Sequence, residues 1–423
     1  MKRKQDYLWN SFAGFINALE AVFMSIVVTR VTGLNDAGIL AIAFAIGNLF
    51  MTIGKYGIRN YQVTDVDRKY TFRSYFVLRV VTVTMMAVVS FGYSFYSLLC
   101  KGYDFYKASC ILAICVIYCV EAVEDVLWGE LQRNGRLDIG AKLFCTRWIS
   151  IFAVFCLLII LSGKLNVALW GSVGISVIVF VFLSLIISKD GLFTFNDKSL
   201  DGRLEMKDIK IWGMSACKEL LFVSFPLFVM SFLTFFVNNS PKYAIDGLLN
   251  EEAQACYGFV AMPVFVIGLL NGFIYQPSLV NLSVEWSRRS DIFIKKVIRQ
   301  AILLGAISVA CIIGAALIGI PVLSVIYKTD LTGYWFELVV LQGAGFFLAL
   351  SGYLSVVLTI MRHNKSLMWG YLIVGVLAFL IMDRSVTSHG TKGATLTYLG
   401  CMAVLCIIYL VMFTVYYKRE RNG

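Results

Sequence analysis

Apolar residues run along this chain in blocks of about twenty, broken by short polar stretches. The first block reads FAGFINALEAVFMSIVVTRVT (12–32), with Glu20 near its middle and Arg30 near its end. A bilayer core about 30 Å thick takes roughly 20 helical residues to cross. Windows of that length predict twelve spans: 12–31, 37–54, 74–99, 107–129, 143–163, 166–188, 216–239, 255–276, 300–327, 335–361, 366–383 and 393–417. The longest polar stretch (189–215) separates two sets of six. Three domains are therefore expected: an N-terminal six-helix bundle (1–190), a cytoplasmic linker holding the amphipathic stretch LEMKDIKIWG (191–215), and a C-terminal six-helix bundle (216–423). Six is even, so both halves enter the membrane in the same direction, and any repeat relating them is parallel, its axis along the membrane normal. GLNDAGILAIAFAIGNLF after the first span and GLLNEEAQACYGFVAMPVFVIGLLNGF after the seventh share such a pattern.

Composition agrees. Of 423 residues, 59% are hydrophobic and 15% charged, against about 25% charged in soluble proteins. The net charge of +11 marks topology and anionic-lipid contact rather than nucleic acid. With the N-terminus inside, 27 Lys and Arg fall in inner segments and 8 in outer loops, while Arg79 and Arg147 lie within spans. Both termini are thus expected on the cytoplasmic side. The apolar run after MKRK is too long for a cleaved signal and lacks a small-x-small site, so it reads as a retained first span.

The eleven cysteines lie mostly in apolar segments, without a C-x-x-C pair or a nearby histidine. They read as small hydrophobes, and no disulfide framework, metal site or cofactor is expected. No loop exceeds about 30 residues, and neither a Walker motif, a G-x-S-x-G elbow nor H-E-x-x-H occurs. A carrier, not an enzyme, is the class these features favour. A membrane glycan polymerase would need a larger outer loop than the 15 or so residues available.

A carboxylate at mid-bilayer costs about 2.5–3.5 kcal/mol, so the intramembrane acids need an account. Glu121, Glu124, Asp125 and Trp128 are spaced to share one face of the fourth span. Arg79 lies at the depth of Glu124, roughly 7–8 Å above the inner boundary at 1.5 Å per residue, which predicts an Arg79–Glu124 or Arg79–Asp125 pair. Glu20 and Arg30 are about 15 Å apart along their helix and cannot pair. The inner half of the first bundle then holds four carboxylates with Arg79 as their intramembrane arginine. The remaining acids are expected to be protonated, paired with loop residues such as Arg133 or Arg136, or used by a coupling ion. Glu20, with Glu121 as neighbour, is the candidate for H⁺ or Na⁺ coupling.

The segment TRVTGLNDAGILAIAFAIGNLFMTIGKYGIRNYQVTD, with Arg30 ahead of a Gly-x-x-x-Ala-Gly turn and the box YGIRNYQVTD at 56–65, resembles the start of the polysaccharide transporter family. NNSPKYAIDGLLNEEAQACYGFVAMPVFV (238–266) supports this in the second half. These proteins are lipid-linked oligosaccharide flippases of the multidrug/oligosaccharidyl-lipid/polysaccharide exporter superfamily. The resemblance implies twelve helices in two six-helix bundles about a central cavity that opens alternately to either side. It implies an undecaprenyl-pyrophosphate-linked oligosaccharide as cargo, a bacterial plasma-membrane location, a glycan polymerase as a possible partner and a monomer. The chain departs from the drug-exporting branch in its cationic decoration, and it lacks the two extra helices of lipid II flippases. A cation-coupled multidrug exporter is the alternative.

Such a cargo needs cations, and arginine binds phosphate bidentately. Arg30 and Lys242, closing the first and seventh spans, are candidates to receive pyrophosphate on the outer side, or else they snorkel to headgroups. Arg59 is placed to meet it on the inner side, or anchors the box, and Arg79 completes the candidate cations. Asn48 and Asn238 are the candidate partners for sugar hydroxyls, alongside Asn17, Asn239 and Asn271, with helix–helix hydrogen bonding as their ordinary use.

Overall fold

The computed structural model describes residues 2–65, 69–189, 214–275, 279–288 and 292–422. Its elements are helices. They run α1 (Lys2–Val31), α2 (Leu34–Lys55), a short α3 (Ile58–Thr64), α4 (Phe72–Cys100), α5 (Phe105–Arg133), α6 (Leu137–Ser162), α7 (Leu165–Lys189), α8 (Met214–Leu248), α9 (Glu251–Tyr275), a short α10 (Leu279–Ser287), α11 (Ile292–Gly314), α12 (Ile320–Tyr327), α13 (Trp335–Ile360) and α14 (Asn364–Asn422). A π turn at Ala315–Gly319 joins α11 to α12, so together they supply one span, Ile292–Tyr327. The last two predicted spans both lie in α14, which breaks at Gly390 (φ 57°, ψ −139°). Among the described residues, each predicted span thus lies on helix to within one residue of its ends, the ninth crossing the π turn. Of the predicted linker, residues 191–213 and its amphipathic stretch lie outside the described residues, and residues 214–215 open α8.

Among the described residues, nine helical stretches are long and apolar enough to cross a membrane. The fold is that of an all-α integral membrane protein. α5 has the length of a span but carries Glu121, Glu124, Asp125 and Glu130, all buried. It can hold them because it is surrounded: α2, α3, α4, α6 and α7 all pack against it.

Two compact units divide the chain, Met1–Phe232 and Leu233–Gly423, the boundary falling inside α8. In the first unit α5 is the packing hub. In the second that role goes to α13, which packs against α9, α11 and α14. α5 and α13 are each the fourth long helix of their half, so the faint internal repeat extends to how each unit is assembled.

Apolar clusters close the end of the first unit where α1 begins. Ile58, Tyr70, Tyr75, Leu78, Val126 and Leu220 form one, so the start of α8 belongs to this core. Phe72, Leu127, Leu131, Leu143 and Ile187 form another.

Candidate functional site

The box YGIRNYQVTD turns the chain sharply between α2 and α4. Tyr56 and Gly57 are both left-handed (φ 46° and 67°), which stops α2 and starts α3. A tyrosine in that conformation is uncommon, and its ring is held in a stack on Phe228 with centroids 4.6 Å apart and planes 6° from parallel. Any side chain at Gly57 would be strained, because a Cβ there would lie 2.7 Å from Leu227 Cβ. α3 then lies against α5 at Gly129, where a Cβ would run into Gln62 and Arg59. Gln62 donates to Glu130 at 3.1 Å. Asp65 accepts from the Tyr75 hydroxyl at 2.8 Å and from the backbone N–H groups of Lys69 and Tyr70. Lys69 pairs with Glu219 at 2.9 Å, and the hydrogen bond to Glu219 raises its ammonium above the ordinary lysine range. Burial pushes the Tyr70 hydroxyl up to about 12.

This scaffold aims Arg59 inward. Its guanidinium donates to Gln132 at 2.8 Å, approaches Asp125 at 3.4 Å, and lies 4.5 Å above the centre of the Trp128 ring. Behind it is a buried charge network. Arg79 reaches Asp125 at 2.8 Å and the carbonyl of Gly54 at 2.6 Å. Arg147 pairs with Glu124 at 2.7 Å, reaches Glu121 at 3.4 Å, and donates to Ser176 at 3.3 Å. Lys55 pairs with the other Glu121 oxygen at 2.9 Å. Glu20, buried on α1, accepts the Tyr118 hydroxyl at 2.6 Å through Oε1, while its Oε2 has no hydrogen-bond partner among the described residues.

The predicted Arg79 pair is therefore present, with Asp125. The charge balance needs correcting. Arg147 and Lys55 join Arg79 and Arg59, so four cations face Glu121, Glu124 and Asp125, with Glu20 as a fourth acid held by a tyrosine. The loop arginines serve elsewhere: Arg133 pairs with Glu130 at 3.2 Å and Arg136 with Asp138 at 3.6 Å.

Two adjoining cavities open onto the network. One, of about 250 Å³, is lined by Asn10 and Asn17 of α1 and by Lys55, Arg59, Glu121 and Trp128. The other, of about 560 Å³, has Lys55, Arg59, Asn60, Thr64, Asp125 and Gln132 in its wall. Lys55, Arg59 and Asp125 belong to both. Exposure separates the cations into two classes. The side chains of Lys55 and Arg59 are 33% and 25% exposed, whereas Arg79 and Arg147 are sealed at 0% and 1%. The first pair can meet a ligand; the second holds the carboxylates in place.

Arg59, Arg79, Glu20 and Glu121 thus come together in one region of the first unit. Asn48, half-buried on α2, spends its amide on the Phe44 carbonyl at 2.9 Å. Arg30 is exposed in the last turn of α1, away from the cluster. In the second unit, Asn238 accepts weakly from the Tyr398 hydroxyl at 3.4 Å. Lys242 is half-buried on α8, with no ion-pair partner among the described residues. The side chain of Asn271 lies outside the described residues. Lys55 was not legible as a site residue because hydropathy assigns the last residue of a span to a loop. Arg147 carried a usable signal: an arginine inside a span, as buried as Arg79.

Several solved structures share this fold. An inward-facing multidrug resistance MATE family transporter of the MOP superfamily superposes with a TM-score of 0.70 at 12% identity, covering 96% of each chain. Lipid II flippase MurJ in an inward closed conformation gives 0.67 at 12% identity, over 96% of this chain and 87% of that one. The Vibrio cholerae MATE transporter VcmN in its bent form gives 0.56 at 10% identity, over 100% and 98%. At these identities the likeness concerns the fold. A comparison with curated protein sequences finds no match. The model of the family described as "Polysaccharide biosynthesis protein" matches residues 4–285, about two thirds of the chain, and the protein belongs to that family.

Proposed function

We propose that this protein is a flippase that carries an undecaprenyl-pyrophosphate-linked oligosaccharide from the inner to the outer leaflet by alternating access, for surface polysaccharide assembly. The observation that carries this reading is the pair of adjoining cavities whose shared wall holds Lys55 and Arg59. A pyrophosphate leaving water needs fixed cations to replace its hydration. Asn10, Asn17, Asn60 and Thr64 line the same cavities and offer hydrogen bonds to sugar hydroxyls. Trp128, lining the smaller one, offers an aromatic face. The family supports a role in polysaccharide biosynthesis, and the fold is one that a lipid II flippase also adopts. Glu20 and Glu121 are the proposed site of H⁺ or Na⁺ coupling. The protein is read as a monomer of the bacterial plasma membrane with both termini cytoplasmic, handing cargo to a glycan polymerase.

Deleting the protein tests this. Lipid-linked glycan is expected to accumulate on the cytoplasmic leaflet while surface glycan falls. Normal surface glycan without accumulation would falsify the flippase reading. The likeness to a multidrug transporter favours one competing reading, drug export. Restored drug resistance in an exporter-deficient host would support that reading instead.

A further inference from the structure

Where α14 finishes, three elements of the second unit meet in one aromatic cluster. Trp286 of α10 lies 4.9 Å from Phe293 of α11, and Tyr417 of α14 is 6.2 Å from the first ring and 6.3 Å from the second. Cations follow these rings closely in the chain. Lys295, Arg299, Lys418 and Arg419 are exposed and have no ion-pair partner among the described residues. The described acids at this end are already held: Glu285 pairs with Lys296 at 2.8 Å, and Glu420 with His363 at 2.6 Å. Helix periodicity shows what the α11 cations stand above. Lys295 and Arg299 share one face with Ile302, Val309 and Ile313, all exposed, while the opposite face buries Phe293, Val297, Gln300 and Leu304. Lys418 heads a similar exposed stripe of Ile407, Val411 and Thr414 on α14. The span Ile292–Tyr327 has 36 residues. That is about 54 Å of helix against an apolar core about 30 Å thick, an excess of about two turns at each end. Lys295 and Arg299, in the first two turns, therefore sit at headgroup depth.

We infer that the Lys295–Arg299 face of α11 is a binding site for an anionic phospholipid of the adjoining leaflet, with its phosphate between the two cations and its acyl chains along the apolar stripe beneath. Like charges four residues apart on a helix repel each other, and a phosphate set between them removes that cost. The arginine fork holds it bidentately while the lysine adds a point charge. Lys418 and Arg419 at the end of α14 extend the positive potential along the same end of the unit. The stripe decides between a lipid and a soluble acidic partner. Ile302, Val309 and Ile313 lie at membrane depth, where a soluble protein cannot reach, and they continue the face that the cations begin. Trp286, Tyr416 and Tyr417, half-buried at this end, are the residue types that settle at a membrane–water interface. The site stands apart from the cargo reading, since residues of the first unit line both cavities.

The test titrates the delipidated full-length protein in detergent with dioleoylphosphatidylglycerol or dioleoylphosphatidylcholine and counts bound lipid by native mass spectrometry. The wild type is expected to prefer phosphatidylglycerol. A basic residue beside an anionic headgroup is worth about fivefold in affinity, so Lys295→Gln with Arg299→Gln should weaken that binding by about 25-fold. Lys295→Arg with Arg299→Lys keeps both charges, should retain the preference, and serves as the folding control. Lys142→Gln removes an exposed cation from α6 of the first unit and should leave the binding unchanged. Equal affinity of the wild type for the two lipids overturns the inference and leaves these cations to an acidic soluble partner. Phosphatidylglycerol binding that persists in the double glutamine variant, or that falls as far in Lys142→Gln, overturns it as well.

Discussion

Arg147 and Lys55 share Glu121, yet removing them should have unequal consequences. Arg147→Gln leaves Glu121 with Lys55 and takes from buried Glu124 the cation it pairs with. Losing one partner of a buried pair typically costs about 3–5 kcal/mol. Lys55→Gln leaves Glu121 with Arg147 and removes a group already a third exposed, so its cost should be well under half of that. Thermal unfolding of the detergent-solubilised variants checks the order; equal losses would contradict the division into holding and ligand-facing cations. The Arg79–Asp125 pair could be read from sequence because both depths follow from counting along a helix. Lys55–Glu121 could not, since the tip of a lysine at a helix end is free to point out to water or back into the bundle. Nor could the Tyr118–Glu20 bond, because helix rotation about its axis is set by packing that hydropathy does not encode.

At the scale of an element, the box between α2 and α4 is a folded latch. Its functional reading from sequence centred on Arg59, yet most of its residues serve to place that arginine. Tyr56 and Gly57 make the turn, Gln62 and Asp65 fasten it, and Arg59 is the residue that faces the cavities. Gly57→Ala forces an L side chain to φ 67°, for about 1–2 kcal/mol, and drives its Cβ toward Leu227. The expected result is local. Hydrogen–deuterium exchange should speed up over residues 56–65 and stay unchanged across α6 and α7, with affinity for a soluble pyrophosphate diester such as UDP-N-acetylglucosamine reduced because Arg59 is no longer held over Trp128. Uniformly faster exchange through the whole first unit would show that the turn supports the bundle and not the site alone. The motif itself was visible in the sequence. The left-handed tyrosine was not, since the ring that holds it belongs to Phe228, 172 residues further along the chain.

At the scale of the whole molecule, the helical layout followed from hydropathy blocks because an apolar span in lipid has to satisfy its backbone internally, and length alone then fixes each helix. Hydropathy ends one span at 383 and opens the next at 393, whereas the helix continues on both sides of Gly390, a difference made by one glycine at positive φ. Orientation is proposed from charge: the inner segments expected from the sequence carry 27 Lys and Arg against 8 in the outer loops, and such an imbalance favours the richer side as the cytoplasmic one. The chain carries its own reporter of this. Of the eleven cysteines, Cys100 is the exposed one, in the last turn of α4 next to Lys101 and opposite the end where α4 leaves the site. A membrane-impermeant maleimide added to intact cells should therefore label the wild type and fail to label Cys100→Ser. Labelling of Cys100 only after the membrane is opened would place the site end, with Lys55 and Arg59, on the outer face, and cargo could not be loaded there from the cytoplasm. Because the reagent reads sidedness without asking for transport, it separates a wrongly assigned orientation from a wrongly assigned cargo.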